Sequence, residues 1–243
     1  MNRDLARRAS AEAVGTALLV AIVVGSGIAA QRLSPGAIGL ELLENSIATG
    51  AGLTALILAI GPVSGAHFNP VVTLADRLLG GISTTDAIAY VVAQIAGAGV
   101  GALAANLMFS LSAVTLSTHA RSSGGLWLGE FIATFGLLLV ILGVVRAGRA
   151  SAAAFAVGGY IAAAYWFTSS TSFANPAVTI GRTLTDTFAG IKPSSAPAFI
   201  IVQISGALSA VFLARFWNPD IPAADLVVTH DQSVATNPET NDR

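Results

Sequence analysis

Two asparagines, each followed by proline inside apolar sequence, are the residues best placed to do chemistry in this chain. They are Asn69 in Gly65-Ala66-His67-Phe68-Asn69-Pro70-Val71-Val72-Thr73 and Asn175 in Ser172-Phe173-Ala174-Asn175-Pro176-Ala177-Val178-Thr179. An Asn side chain caps a helix through its oxygen, and Pro is at ease in the first helical position, so each pair starts a helix. Capping leaves the amide N–H groups able to donate elsewhere. Asn218-Pro219 and Asn237-Pro238 lie instead in polar sequence and read as turns. Other polar side chains in apolar surroundings are Glu12, Glu130, Gln94, Gln203 and His67. An ionisable group inside a membrane span is a candidate for a proton relay or a solute pathway. With no Cys, and His only at 67, 119 and 230, neither a metal centre nor thiol chemistry is expected. There is no His-Glu-x-x-His, and no Ser or Asp has an evident catalytic partner, so the expectation is no catalytic residue, no cofactor and no enzyme.

The elements that must position these residues are membrane helices. Of 243 residues, 54% are hydrophobic and 10% charged, against about 25% charged in an average soluble domain. This is the composition of an integral membrane protein whose surroundings are a lipid bilayer. A formal charge of -1 and no basic run with interleaved aromatics argue against nucleic acid as a partner. The basic N-terminus resembles a signal peptide's, but the apolar stretch behind it contains Glu12 and runs through Ala30, so it is expected to be the first membrane helix without cleavage. Crossing a hydrocarbon core of roughly 30 Å takes about 20 mostly apolar residues. Six segments qualify, near 10–30, 45–61, 86–109, 125–146, 150–168 and 196–216. Two apolar stretches, 69–79 and 175–187, are too short, since ten helical residues rise about 15 Å. Each starts at an apolar Asn-Pro, so both are predicted to be half-helices. Gly97 and Gly101 form a small-xxx-small pattern for close helix crossing, and Trp127, Trp166 and Trp217 fall at span ends, as an interfacial belt requires.

The halves repeat one another. Glu12-Ala13-Val14-Gly15-Thr16 matches Glu130-Phe131-Ile132-Ala133-Thr134, and the Gln94 and Gln203 segments match likewise; partners lie 118 residues apart for the Glu pair, 106 for the Asn pair and 109 for the Gln pair. The repeats cover about 9–115 and 124–217. Each has three spans, an odd number, so the second enters from the opposite side and the repeat is inverted. The predicted fold is an all-α membrane protein, one channel domain over 1–217, with six transmembrane helices and two re-entrant half-helices meeting at the midplane. Residues 218–243 are expected to form a flexible cytoplasmic tail. Arg3, Arg7, Arg8, Arg77, Arg146, Arg149, Arg215 and Arg243 fall on one side, against Arg32, Arg121, Arg182 and Lys192. That places both termini in the cytoplasm and the protein in the inner (plasma) membrane. The loops 61–68 and 169–174 should line a wet path with their carbonyls, while two helix N-termini make its midpoint positive.

These boxes, with the Ser64-Gly65-Ala66-His67-Phe68-Asn69-Pro70 context, the Glu12 and Glu130 helices and the Gln94 and Gln203 helices, resemble the aquaporin and aquaglyceroporin (major intrinsic protein) family over about residues 10–217. The resemblance implies a homotetramer with one pore per protomer and passive flux of water or small neutral solutes. It implies a midplane of Asn69, Asn175, Val71 and Ala177, with both Asn amides donating to the solute, and His67 in the lumen or at the cytoplasmic mouth. It further implies that Glu12 and Glu130, supported by Gln94 and Gln203, accept hydrogen bonds from the re-entrant loops. Two positions depart from the family pattern: Val71 stands where the first box has Ala, and Val178 where the second has the Arg of the outer filter. The next basic residue, Arg182, is expected in the outer vestibule. Counted without gaps, the remaining filter positions fall on Thr49, Ala163 and Ser172. A filter of Thr49, Ala163, Ser172 and Val178 would be wide and uncharged, admitting polyols or hydroxylated metalloids such as arsenous acid as well as water; similar bacterial members with an altered filter imply a link to arsenic detoxification. The alternatives are a strict water channel and a secondary transporter with broken helices.

Overall fold

In a computed structural model, described over residues 3–217, all the regular secondary structure among the described residues is helical. The expected tail at 218–243 lies outside the described residues. The first half contains α1 (Arg3–Leu33), α2 (Ile38–Ser64), the short α3 (Pro70–Leu79) and α4 (Thr84–Met108). The second contains α5 (Gly124–Arg146), α6 (Ala153–Phe167, entered through a 3-10 turn at Ala150–Ala152), the short α7 (Pro176–Gly181) and α8 (Ala196–Trp217). The six long helices, α6 counted together with its 3-10 turn from Ala150, match the six expected spans to within a few residues and are long and apolar enough to cross a membrane. They overrun those spans where polar residues find local partners. The first turns of α1, for example, hold Asp4 between Arg7 (2.9 Å) and Arg8 (2.8 Å).

Both short helices begin as the Asn-Pro chemistry requires. Asn69 Oδ1 accepts from Val71 N (3.1 Å), and Asn175 Oδ1 accepts from Ala177 N (2.9 Å) and Val178 N (3.2 Å), with Pro at the first helical position in each. The second is shorter than expected: α7 stops at Gly181 and decays through a 3-10 turn at Arg182–Leu184. The two enter from opposite faces. At the N-terminal face Arg8 of α1 pairs with Asp86 of α4 (2.7 Å), and Arg215 near the end of α8 donates to Leu78 O at the end of α3. At the other face Gln31, late in α1, accepts from Phe188 N just beyond α7 (2.8 Å).

The exterior exposes large apolar side chains such as Phe212 (73%) and Ile201 (64%), whereas Glu12, Gln94, Glu130 and Gln203 are fully buried. This inside-out polarity suits a hydrocarbon solvent. Close packing is set by glycines at helix crossings. A Cβ on Gly97 or Gly101 of α4 would meet the backbone carbonyl of Ala13 or Ala17 on α1, which cannot rotate aside. Gly97→Val should therefore force α1 and α4 apart at a cost of about 1–3 kcal/mol or more. It is expected to lower the melting temperature and the monodisperse yield in detergent. Gly143→Ala, with nothing within 4 Å of the added carbon, should leave both unchanged.

Candidate functional site

The backbone leading into each short helix is unusual in the same way twice. Ala66 (φ 50°) and Phe68 (φ 49°) follow Gly65 (φ 84°) in the first loop; Thr171 (64°), Ser172 (49°) and Ala174 (48°) occupy the equivalent stretch of the second. A non-glycine residue held left-handed costs on the order of 1–3 kcal/mol and persists only where its surroundings over-determine it. Here a buried carboxylate does so. Glu12 accepts from His67 N (3.0 Å), Phe68 N (2.7 Å), Ser64 Oγ (2.6 Å) and Gln94 Nε2 (2.7 Å). Glu130 accepts from Phe173 N (2.8 Å), Ala174 N (2.9 Å) and Gln203 Nε2 (2.6 Å). The Gln side chains also donate to Thr73 Oγ1 and Thr179 Oγ1, each at 3.0 Å. Sequence reasoning gave these two threonines no role, yet each stands four residues after its Asn, a spacing that puts it one helical turn along. The first loop is shorter than expected, because α2 continues to Ser64 before Gly65 caps it.

The two boxes are tied to each other. Asn69 Nδ2 donates to Ala174 O (2.8 Å) and Asn175 Nδ2 donates to Phe68 O (2.8 Å), so each amide spends one N–H on the opposite loop and keeps the second. Both residues line a cavity of about 80 Å³. Apolar lining comes from α1, α2, α5 and α6, including Leu19, Val23, Leu53, Leu137 and Ile161; the two loops contribute the segments Gly65 to Asn69 and Ser172 to Asn175.

Not every expected position reaches this cavity. Val71 and Ala177 are buried in the core, and Val72 and Val178 line the cavity instead. Residues two beyond a helix start point away from it, whereas those three beyond return to its face. Val71 therefore affects packing and not the width of the cavity. Thr49 and Ser172 line it, but Ala163 is exposed on the outside of α6 and Tyr165 takes the inward place. Two residues turn a helix by about 200°, so a gapless count across the loop before Asn175 lands on the wrong face. Tyr165 Oη shares a hydrogen bond with Thr49 Oγ1 (3.2 Å). His67 also lines the cavity, with Nδ1 3.1 Å from Thr73 Oγ1 and Nε2 3.4 Å from Asp76. Arg182 is not out in the vestibule. It is 2% exposed, belongs to the lining, and lays its guanidinium 3.4 Å over the Phe173 ring. No group of His, Cys, Asp and Glu among the described residues is arranged to hold a metal ion.

Residues 2–169 match the family described as Major intrinsic protein. The chain belongs to the major intrinsic protein family. Over 213 residues it is 50% identical to aquaglyceroporin AqpS of Rhizobium meliloti (strain 1021), a match covering 88% of this chain and 91% of the relative. Over 244 residues it is 32% identical to the probable aquaporin AqpM of Archaeoglobus fulgidus, covering 89% and 98%. The X-ray structure of the aquaglyceroporin from Plasmodium falciparum superposes with a TM-score of 0.68 over 92% of this chain and 100% of that one, at 23% identity, a likeness of fold. Inverted repeats, paired half-helices and an axial cavity are thus this major intrinsic protein's own realisation of a channel fold. Its second box, at Asn175, falls beyond the residues matched to the family, in the half where the lining departs most from expectation.

Proposed function

We propose that this major intrinsic protein carries polyols and hydroxylated metalloids of the arsenous acid type, as well as water, passively down their gradients. The supporting observation is the two-sidedness of the cavity. A polyol can lay its carbon face on the apolar wall of α1, α2, α5 and α6 while its hydroxyls exchange hydrogen bonds with the loop carbonyls, Asn69 and Asn175. The outer lining of Thr49, Tyr165, Ser172 and Val178 carries no cation at the position three residues after Asn175, which leaves room for solutes larger than water. The likeness to an aquaglyceroporin over most of both chains supports the same reading. The helix N-termini meeting at the asparagines oppose cations at the centre.

The protein is read as a homotetramer in the inner membrane with both termini cytoplasmic. Seven of the described basic residues, Arg3, Arg7, Arg8, Arg77, Arg146, Arg149 and Arg215, belong to the N-terminal face, and Arg32, Arg121 and Lys192 to the other. Stopped-flow light scattering on proteoliposomes, comparing water, glycerol and arsenous acid, tests the function. Flux linear in the gradient for all three is expected. Saturable or ion-coupled uptake would instead favour an alternating-access transporter, water permeation alone would favour a strict water channel, and rates no faster than in empty vesicles would remove the channel reading.

A further inference from the structure

Arg182 is fully enclosed, one turn beyond the position where the family pattern has its Arg, and it is under-satisfied. Its Nε donates to Ala189 O, but Nη1 is a buried donor with no acceptor, and no carboxylate forms an ion pair with it among the described residues. The nearby carboxylate, Glu130, is spent on the loop N–H groups and Gln203. A second guanidinium, Arg121, stands 5.1 Å from the Phe173 centroid and donates to Gly190 O (3.0 Å), so two cations approach one ring. An unpaired buried cation is costly unless something in its site uses it. Beside it Ser172 Oγ, in the same lining, is also buried without a partner.

Local structure explains how the charge arrives there. Arg182 lies four residues after Val178, one helical turn further on the same face. Gly181 lets the end of α7 press against Ala98 O of α4, where a Cβ would clash with the carbonyl, and the 3-10 turn then carries residue 182 inward. Phe173, from the loop that bears the carbonyl ladder, supplies the flat surface on which the guanidinium rests.

We infer that Arg182 is the specificity-determining cation of the outer constriction, supplied from one turn beyond the position that Val178 leaves uncharged. It donates to oxygens of neutral hydroxylated solutes and turns away protons and other cations, while Val178 and the stacking on Phe173 keep the aperture open. The inference rests on the channel reading above. The test follows two fluxes in the same proteoliposomes: glycerol by light scattering, and protons by an entrapped pH-sensitive dye under a clamped potential. Arg182→Gln, which removes the charge, should raise proton flux about tenfold or more, the scale on which local charge alters ion access, with glycerol still permeating. Arg182→Lys, which restores the charge, should hold protons at the wild-type level. If Arg182→Gln does not assemble, Val178→Asp poses the question from the neighbouring turn: a carboxylate that neutralises Arg182 should raise proton flux by a similar factor, and Val178→Asn should not. An assembled Arg182→Gln or Val178→Asp channel with wild-type proton flux and an unchanged glycerol-to-water ratio overturns the assignment. Failure of the wild-type protein to pass glycerol is a different result and sinks the channel reading instead.

Discussion

Glu130→Ala should abolish glycerol flux, or reduce it by about a hundredfold, and lower the melting temperature of the detergent-solubilised protein more than any substitution in the cavity wall. The carboxylate is fully buried and accepts from two consecutive loop N–H groups and from Gln203. Removing it strands three donors where water does not reach them readily, at roughly 1–3 kcal/mol each. The same substitution releases a loop that holds Thr171, Ser172 and Ala174 left-handed, each at a cost on the order of 1–3 kcal/mol. Both effects act in one direction, so the loop should relax and its carbonyls should leave the cavity. Glu130→Gln keeps one acceptor oxygen and adds a donor facing donors, so an intermediate loss is expected. Thermal unfolding by size-exclusion chromatography, with glycerol flux on the surviving fraction, separates scaffold from relay. A scaffold loses stability and flux together; a proton relay would lose ion-coupled transport from a protein of unchanged melting temperature. An Ala variant with wild-type stability and flux would refute the scaffolding role.

Glu130 also illustrates what could be read in advance. A carboxylate in an otherwise apolar span has to be compensated inside the protein, and its repetition in both halves marks it as part of the duplicated unit; that the loop N–H groups compensate it is what the family resemblance implies, not what the pattern alone dictates. Span number, the two half-helices and their inversion were legible from pattern: hydrocarbon thickness constrains segment length, and three spans per repeat constrain direction. Side-chain direction was not legible. The miss at Ala163, replaced by Tyr165, comes from counting residues across a loop whose length is free, and the exchange of Val71 for Val72 comes from the phase of a helix whose start had been located but whose facing had not. Arg182 was misplaced because its inward turn depends on Gly181 closing against Ala98 and on the 3-10 end of α7. Those are tertiary facts with no local signature.

Val178→Arg should reduce glycerol flux at least about tenfold while reducing water flux by much less. Val178 is 5% exposed and faces a cavity of about 80 Å³, so a long side chain there must occupy space that a solute uses, and a molecule the size of glycerol loses more of its path than water does. The guanidinium would also share the lining with Arg182, and Arg121 adds a third positive charge near Phe173. With no carboxylate in the lining among the described residues, repulsion between the two lining cations should push one of them across the cavity toward Thr49 and Tyr165, whose hydroxyls can accept. That movement narrows the passage further. Some loss of assembled protein is expected from the added charge, so fluxes are compared per assembled channel, with Val178→Leu reporting bulk without charge. Val178→Leu should lower glycerol flux less than Val178→Arg and leave the proton barrier intact. If Val178→Arg lowers water and glycerol flux by the same factor, position 178 does not discriminate solutes by size, and the wide outer filter has to be abandoned even if Arg182 still governs charge.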